Sequence, residues 1–356
     1  MRILFVKLSS IGDIVHTIPA AAAVKKALPG SKIYWVAEKG PAEVLQNNPL
    51  LEALIEVDTK ALRRGNAVLG KTWEAAVGQF RRLRALELDL SIDFQGLFKS
   101  SAIARIAGTR KRFGFDRDNL KEPLSRRLLT DPIEIASRQN IVFKNIELAE
   151  KALSVFTGDP GFRLDKDRPE FPIAVSDEDS LAADEVAERA GGRFAILNPA
   201  GGWVTKLWPA ENYGALADRV WEELGLIPVL SSGPGDKRLA DAVLGASRSG
   251  RIVTASLGLR AFHELSRRAE VYVGGDTGPT HLAVAAGCPV VGIFGPTEWW
   301  RNGSVNPDDI CVERNDIGCR VDCHRRTCDK WICMDIPVET VFEAVSRRLA
   351  SAKATG

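Results

Sequence analysis

The sequence predicts an α/β protein made of two Rossmann-like domains that face a central cleft. The chain has 356 residues, which is more than one hydrophobic core usually covers, and 45% of them are apolar. Short apolar runs alternate with helix-periodic segments in both halves, an order typical of parallel sheets. Ligands bind such sheets beyond the carboxyl ends of the strands, so we expect the site in the cleft.

The first predicted domain spans residues 1–160, and its amphipathic segment Arg138–Phe156 is expected to close it as a helix. The charged, proline-containing segment 161–176 follows as a linker. The strand candidates of this domain are Ile3–Leu8, Ile33–Val36, Leu54–Val57 and Leu88–Ile92.

The second predicted domain spans residues 177–336 and repeats the same alternation. The final segment, 337–356, opens with Pro337 and continues as an amphipathic helix, which we expect to pack back on the first domain. The strand candidates of the second domain are Phe194–Asn198, Ile227–Ser231, Ile252–Thr254, Val271–Gly274 and Val290–Phe294.

Charge and hydropathy exclude several classes of protein. Lys and Arg total 48 against 46 Asp and Glu, and this near-neutral balance is not that of a dedicated nucleic-acid binder. The apolar run before Lys7 is too short for a signal peptide, so we expect a cytoplasmic protein. The longest apolar stretch, Leu282–Pro296, is interrupted by glycine and proline, which favours a buried helix, turn and strand over a membrane span.

The loop after the first strand carries a candidate catalytic carboxylate. Ser9, Ser10, Ile11, Gly12 and Asp13 lie between that strand and a helix-like segment. Gly12 allows a tight turn, and an Asp at a helix start is either a capping residue or a carboxylate that faces the cleft. The loop lacks the G-x-G-x-x-G spacing of a dinucleotide site, which argues against an NAD enzyme.

The segment Val271–His281 predicts an anion site. A strand leads into a loop of small residues and then into a helix, and the N–H groups at a helix start suit a diphosphate. Asp276 and His281 are either functional or structural polar residues of that loop. Lys206, after the strand Phe194–Asn198, is either a phosphate partner or a surface lysine. Asp236 either accepts hydrogen bonds from a ribose or caps the following helix.

Four motifs taken together resemble those of the bacterial lipopolysaccharide heptosyltransferases, glycosyltransferase family 9. The resemblance covers nearly the whole chain, and the amino-terminal loop is most similar to that of the heptosyltransferase I group. The segment Asp93–Ser100 is similar to the stretch that faces the acceptor in that group. The motifs are Lys7–Asp13, Gly233–Asp236, Asp276–His281 and Phe294–Thr297.

The resemblance implies a GT-B fold and transfer of heptose, with inversion, from ADP-heptose to the Kdo-lipid A inner core, with no cofactor required. It implies that Asp13 is the catalytic base. Where the family carries a pair of threonines near the phosphates, this chain has Ala200 and Gly201. The implied donor-binding residues are Ala200, Gly201, Lys206, Asp236, Asp276, Thr277, Gly278 and His281. The implied acceptor-binding residues are Ser9, Ser10, Gly12, Arg63, Arg64, Gln95 and Lys99.

All six cysteines follow residue 287, and four of them lie within fifteen residues. Clustered thiols in a cytoplasmic chain indicate either a structural Zn or Fe site or reduced thiols that pack a compact loop. Three Asp-x-Asp pairs, which begin at Asp116, Asp165 and Asp177, are interpreted as solvated surface rather than as a catalytic metal site. The candidate metal ligands are Cys319, Cys323, Cys328 and Cys333.

Two basic clusters concentrate positive charge in the first domain. We expect them to attach the protein peripherally to the anionic inner membrane, although a solvated helix face would have the same composition. The first cluster is Lys60, Arg63, Arg64, Lys71, Arg81, Arg82 and Arg84. The second is Arg105, Arg110, Lys111, Arg112, Arg117, Lys121, Arg126 and Arg127.

Other functions remain open at the level of sequence. The chain is alternatively a heptosyltransferase that acts later in the core (types II or III), or a relative that uses another nucleotide sugar. A nucleotide-sugar epimerase shares the two-domain architecture but needs no acceptor. A non-catalytic binding protein on the same scaffold has no reason to keep Asp13, Lys206 and His281 together.

Overall fold

The computed structural model describes residues 1–58, 78, 81, 83–233, 235–320 and 323–355, and helices and strands are numbered within that part of the chain. The chain divides into two compact units, Met1–Ala174 and Val175–Gly356. The division falls inside the segment 161–176 that the sequence predicts as a linker. The sequence predicts two α/β domains, and this is confirmed, since each unit carries a six-stranded parallel sheet.

The sheet of the first unit has the order β3-β2-β1-β4-β5-β6. Its strands are β1 (Arg2–Val6), β2 (Lys32–Glu38), β3 (Leu51–Val57), β4 (Leu90–Asp93), β5 (Lys111–Phe115) and β6 (Asp131–Ile133). Its helices are α1 (Ile11–Val15), α2 (Ile18–Ala27), α3 (Phe98–Ile106) and α4 (Ile141–Thr157). Short 3-10 helices cover Pro41–Leu45, Arg117–Asn119 and Pro123–Leu128.

The centre of this sheet is apolar on both faces, as expected for parallel strands covered on both sides. Residues 3–6 of β1 are fully buried. Phe5 packs between Trp35 and Phe94, with ring centroids 5.6 Å and 4.8 Å away. Because β1 and β4 are neighbours, the loops that follow them meet at one edge of the sheet.

The sheet of the second unit has the order β12-β11-β10-β7-β8-β9. Its strands are β7 (Phe194–Asn198), β8 (Ile227–Ser231), β9 (Val253–Ala255), β10 (Val271–Gly275), β11 (Val290–Phe294) and β12 (Ile310–Glu313). Its helices are α5 (Asp177–Ala190), α6 (Ala210–Leu224), α7 (Lys237–Ala246), α8 (Leu259–Ser266), α9 (Gly278–Ala285), α10 (Trp299–Asn302) and α11 (Val338–Thr355). Two 3-10 helices cover Val204–Lys206 and Ile332–Met334.

The carboxy-terminal helix α11 belongs to the second unit and packs against α6, β10, β11 and β12. The expectation that it packs back on the first domain stays a prediction. Its apolar face, which includes Val341 and Val345, is part of the core of the second unit. The Nε of Arg348 also donates to Oδ1 of Asp309 at 2.8 Å, and both side chains are buried. The sequence shows the apolar face but not which surface receives it.

Within the described ranges, none of the helices is long and apolar enough to cross a bilayer. The apolar stretch Leu282–Pro296 divides into the end of α9, a turn and the buried strand β11, as predicted.

Candidate active site

The loop between β1 and α1 holds Asp13 in a fixed position. Asp13 is the third residue of α1, and its Oδ2 accepts a hydrogen bond from the backbone N–H of Ser10 at 2.9 Å. The hydroxyl of Ser10 lies 3.2 Å from the same oxygen. These contacts form a capping box, in which a side chain satisfies the N–H groups at the start of a helix. The side chain of Asp13 remains 27% exposed.

Lys7, which directly follows β1, is the counter-ion of Asp13. Its Nζ lies 3.5 Å from Oδ1 of Asp13, and only 3% of the lysine side chain is exposed. The same Nζ donates to the carbonyl oxygen of Phe94 at 2.8 Å. Burial lowers the pKa of Lys7, and the negative charge of Asp13 opposes that shift.

The surroundings of Asp13 keep its carboxylate ionised. Burial by itself raises the pKa of Asp13, but the charges of Lys7 and Lys121 and the hydrogen bond from Ser10 outweigh it, so the pKa lies well below its usual range. An ionised carboxylate is able to accept a proton. Its lowered pKa also makes it a weak base, so a role in proton transfer would require close placement against the group that donates the proton.

The loop that follows β4 holds the backbone of the loop between β1 and α1, which leads to Asp13 and is called the Asp13 loop. The Oε1 of Gln95 accepts hydrogen bonds from the backbone N–H groups of Leu8 at 2.9 Å and Ser9 at 3.2 Å. Gln95 is buried, so its carbonyl fixes the backbone next to Asp13 instead of pointing to solvent. The sequence marks this residue only as an acceptor contact.

Asp93, the last residue of β4, organises that supporting loop. Its Oδ1 accepts from the backbone N–H groups of Gln95 and Gly96 at 2.9 Å and 3.2 Å. Its Oδ2 accepts from the hydroxyls of Ser100 and Ser101 at 2.8 Å and 2.6 Å. Burial raises the pKa of Asp93, although these four hydrogen bonds oppose the shift.

The remaining predicted acceptor residues are placed as follows. Ser9 and Ser10 lie in the Asp13 loop, and Gly12 is buried within α1. Lys99 forms an ion pair with the buried Glu38 at the end of β2, with Nζ 3.0 Å from Oε1. Arg63 and Arg64 lie outside the described residues.

In the second unit, the loops after β7 and β10 bring together three charged or ionisable side chains. The Nζ of Lys206 donates to Oδ2 of Asp276 at 2.6 Å and to the backbone carbonyl of Asp276 at 3.1 Å. The Nε2 of His281, in α9, lies 3.2 Å from Oδ1 of the same carboxylate. All three side chains are nearly buried, with exposures of 13% for Lys206, 6% for Asp276 and 7% for His281.

The electrostatics of this group favour an ionised carboxylate. Burial raises the pKa of Asp276, but its hydrogen bond and charge interaction with His281 and the charge of Lys206 outweigh it, so the pKa lies well below its usual range. The group stands at the amino end of α9, where unpaired N–H groups and the helix dipole favour an anion.

The loop at the start of α9 is rigidly supported. The hydroxyl of Thr280 donates to the carbonyl of Gly275 and lies 3.0 Å from the hydroxyl of the buried Tyr272. Gly275 allows the two loops to approach closely, because a Cβ at this position would lie only 3.2 Å from the carbonyl oxygen of Lys206. A side chain here would shift the neighbouring backbone by a few tenths of an ångström.

The other predicted donor residues line the loops at the carboxyl ends of these strands. Ala200 and Gly201 precede the Lys206 segment, and Thr277 and Gly278 form the start of α9. The Oδ2 of Asp236, before α7, accepts from the backbone N–H of Gly233 at 3.0 Å. This contact closes the loop, and no ribose is needed to explain the carboxylate.

The prediction of a Zn or Fe site finds no support in the structure. Among the described residues, which omit 321 and 322 inside this segment, no three His, Cys, Asp or Glu side chains are arranged to hold a metal ion. Cys333 is buried in the core of the second unit and Cys319 is exposed. Burial raises the pKa of Cys333, and the charges of Cys323, Cys328 and Cys319 raise it further. The Sγ of Cys328 accepts the backbone N–H of Trp331 at 3.4 Å. The other candidate ligand is Cys323, which is half-buried.

Comparison with known proteins assigns this pair of sheets and loops to a family. The model of glycosyltransferase family 9 (heptosyltransferase) matches residues 78–332. The chain belongs to glycosyltransferase family 9. A lipopolysaccharide heptosyltransferase 1 from Pseudomonas aeruginosa is 32% identical over 92% of this chain and 87% of its own. A lipopolysaccharide heptosyltransferase 1 from Escherichia coli K12 is 29% identical over 84% of this chain and 89% of its own.

Solved structures agree on the fold. The Escherichia coli heptosyltransferase WaaC with ADP superposes with a TM-score of 0.76 and covers 98% of this chain and 100% of its own, at 23% identity. This likeness confirms the predicted GT-B architecture of two α/β units. The chain is a glycosyltransferase of the heptosyltransferase type, and membership of this family decides against the epimerase and the non-catalytic binding protein.

In this family member, two supporting residues escaped sequence reasoning. Lys7 lies inside the motif Lys7–Asp13, but the sequence predicts no role for it. Its burial beside Asp13 depends on β4, because its Nζ donates to the carbonyl of Phe94, the residue after that strand. Asp93 was seen only as part of an acceptor stretch. Its signal was a carboxylate at the end of a buried strand followed, seven and eight residues later, by two serines.

Proposed function

We propose that this glycosyltransferase transfers heptose, with inversion, from ADP-heptose to the Kdo-lipid A inner core of lipopolysaccharide. The observation that carries the proposal is the group formed by Lys206, Asp276 and His281 at the amino end of α9. A buried lysine at a helix start is suited to a leaving diphosphate, on which negative charge grows as the glycosidic bond breaks. The family relatives named as lipopolysaccharide heptosyltransferases 1 support the choice of sugar and acceptor.

In the proposed reaction, the bond from the anomeric carbon to the diphosphate oxygen breaks as a new bond to the acceptor oxygen forms on the opposite face. The electron pair of the broken bond stays with ADP, and the proton of the acceptor hydroxyl passes to Asp13. Lys206 and the start of α9 stabilise the charge on ADP. Asp13 is already ionised beside Lys7, so no earlier proton loss is needed.

On the acceptor side, we propose that Gln95 and Asp93 position the catalytic loop. Gln95 holds the backbone of Leu8 and Ser9, and Asp93 holds the backbone of Gln95. A misplacement of Asp13 by an ångström would lower the rate, because general-base catalysis requires hydrogen-bond distance. Lys99, Ser9 and Ser10 are proposed to contact the acceptor sugar.

We also propose that the enzyme binds peripherally to the inner face of the cytoplasmic membrane, where a lipid-linked acceptor resides. Of the first basic cluster, Arg81 and Arg84 are described and exposed, and the other five residues lie outside the described residues. In the second cluster the exposed members are Arg105, Arg110, Lys111, Arg117, Lys121 and Arg127. Cations of this kind attract anionic lipid over about a Debye length, roughly 8 Å at physiological salt.

The decisive test is incubation of the enzyme with ADP-heptose and Kdo-lipid A, followed by mass spectrometry of the lipid. We expect a product heavier by one heptose, and none when ADP-heptose is replaced by UDP-glucose. A product formed only on an acceptor that already carries heptose would assign the chain to a later step of the core. No product on either acceptor would refute the proposal.

A further inference from the structure

Lys206 by itself supplies too little positive charge to bind a nucleoside diphosphate at the candidate donor site. Its ammonium group lies 2.6 Å from Oδ2 of Asp276, and both side chains are nearly buried, so Asp276 offsets part of the positive charge of Lys206. A nucleoside diphosphate brings several negative charges to the site. Its binding at the start of α9 therefore calls for a further cation, since a helix terminus is equivalent to only about half a positive charge.

A second cation stands beside the same loop. The Nζ of Lys206 lies 4.4 Å from the ring centroid of Trp203, and the guanidinium carbon of Arg326 lies 5.2 Å from that centroid. Arg326 is exposed, and the described residues place no carboxylate in an ion pair with it. Its positive charge is therefore not offset by a carboxylate of the described residues, as part of the charge of Lys206 is.

The segment that carries Arg326 is fixed to the Lys206 loop by its backbone. The hydroxyl of Thr205 donates to the carbonyl of Arg325 at 2.7 Å, and the indole N–H of Trp331 donates to the carbonyl of Thr205 at 3.0 Å. The N–H of His324 also donates to the carbonyl of Pro296 at 2.9 Å, in the loop after β11. Arg326 is thus presented from an anchored segment, which lowers the entropy cost of using it.

We propose that Arg326 is a further donor-binding residue, whose guanidinium contacts the diphosphate of the nucleotide sugar from the Trp203 side of the loop. The inference rests on the proposed function, because it assigns a new residue to the same donor site. Guanidinium groups suit this task, since their planar N–H groups bind phosphate oxygens in pairs and stack on aromatic rings. Trp203 orients Arg326 when the site is empty.

The test compares Arg326→Ala with Arg325→Ala by calorimetric titration of ADP, AMP and adenosine. Hydrogen bonds to charged groups are worth enough that Arg326→Ala should weaken ADP binding about 10-fold or more. AMP should lose less, and adenosine should bind both variants like the unaltered enzyme. Arg325→Ala removes the same charge but keeps the backbone carbonyl that Thr205 contacts, so its ADP affinity should stay within about 2-fold. Arg326→Lys should recover part of the loss.

Failure of this inference is distinguishable from failure of the proposed function. If the unaltered enzyme does not bind ADP, the donor assignment itself fails. If it binds ADP and Arg326→Ala binds equally well, only the role of Arg326 is lost. If Arg326→Ala weakens adenosine as much as ADP, or if Arg325→Ala matches Arg326→Ala, the effect comes from loop distortion or overall charge instead.

Discussion

The Nζ of Lys7, in the loop that follows β1, lies 3.5 Å from Oδ1 of Asp13, in the first turn of α1. The lysine is almost completely buried, whereas the carboxylate is partly exposed. The pair therefore holds a charged carboxylate at the edge of the first sheet and lowers its pKa.

Replacement of Asp13 by Asn is expected to lower kcat by about 10²-fold or more, because the group that takes the acceptor proton is lost. The affinity for ADP should be nearly unchanged, since Asp13 and the candidate donor site belong to different units. Initial rates and ADP titration measure the two effects separately. Asp118→Asn, which changes an exposed carboxylate of the same unit, is the matched control and should behave like the unaltered enzyme. An Asp13→Asn variant with full kcat would remove Asp13 from catalysis.

Replacement of Lys7 by Met is expected to move the acidic limb of the kcat/KM profile to higher pH. The lysine charge lowers the pKa of Asp13, and an opposite charge at this distance is typically worth about 1–3 units, so its loss raises that pKa. A larger share of Asp13 is then protonated at mildly acidic pH. The measurement is kcat/KM from pH 4 to pH 8, at pH values where circular dichroism shows the variant folded.

Lys32→Met controls for this experiment, because Lys32 is an exposed lysine of the same unit that pairs with Glu52 at 2.9 Å. Its profile should match that of the unaltered enzyme. An unshifted acidic limb in folded Lys7→Met would show that Asp13 does not govern that limb.

Many of the strands and helices could be predicted from local sequence patterns. β1 and the start of α9 are predictable because buried parallel strands are apolar and helix starts carry small, polar residues. β5 was missed since it begins with Lys111 and Arg112, and β6 since it has three residues including Pro132. Both lie towards the edge of the sheet, where apolar content is low.

The contacts between distant segments could not be predicted from the sequence. Lys206 and Asp276 were both candidates, but their 2.6 Å contact depends on the adjacency of β7 and β10. The side of the protein that α11 covers, and the different depths of Cys319 and Cys333, depend equally on tertiary packing. Spacing along the chain shows that thiols are able to meet, but only packing decides whether they do.

Replacement of Lys206 by Ala is expected to weaken ADP binding and to lower kcat/KM by about 10²-fold, because its charge opposes the charge that develops on the leaving diphosphate. Calorimetry with ADP and initial rates with the nucleotide sugar measure the two effects. Lys237→Ala is the control, since Lys237 is an exposed lysine of the same unit. If ADP affinity and rate were both unchanged in Lys206→Ala, the residue would lie outside the site.

Replacement of Asp276 by Asn is expected to lower Tm most at neutral pH. The folded-state pKa of Asp276 is depressed, so its ionised form contributes stability above the unfolded pKa of about 3.9. That contribution is lost as pH falls through the folded pKa. The difference in Tm between the two proteins should therefore be constant from pH 7 to about pH 5 and shrink below about pH 4. Asp241→Asn, at an exposed carboxylate, should show little difference at any pH. A gap that widens on acidification would contradict the sign of the shift.

The last prediction concerns the face around Phe98 and Leu124, whose side chains are 50% and 59% exposed. The backbone N–H of Phe98 donates to Oε2 of Glu122 at 2.7 Å, which holds α3 beside the 3-10 helix that contains Leu124. Exposed cations flank this pair, among them Lys121, whose charge also acts on Asp13. The apolar pair therefore lies beside a cation whose charge acts on the candidate base.

We expect the enzyme to sediment with anionic vesicles at low salt and to be released as salt rises, because exposed cations are screened. Phe98→Ser combined with Leu124→Ser should weaken the salt-resistant part of this binding, since burial of apolar area does not depend on salt. Joint replacement of Arg63, Arg64, Arg81 and Arg82 by Ser should abolish the salt-sensitive part. Leu181→Ser, at a 62% exposed leucine of α5 in the second unit, is the apolar control and should bind like the unaltered enzyme. If the unaltered enzyme does not bind anionic vesicles at low salt, this face is only solvated surface. The same conclusion follows if both combined variants bind the vesicles as well as the unaltered enzyme does.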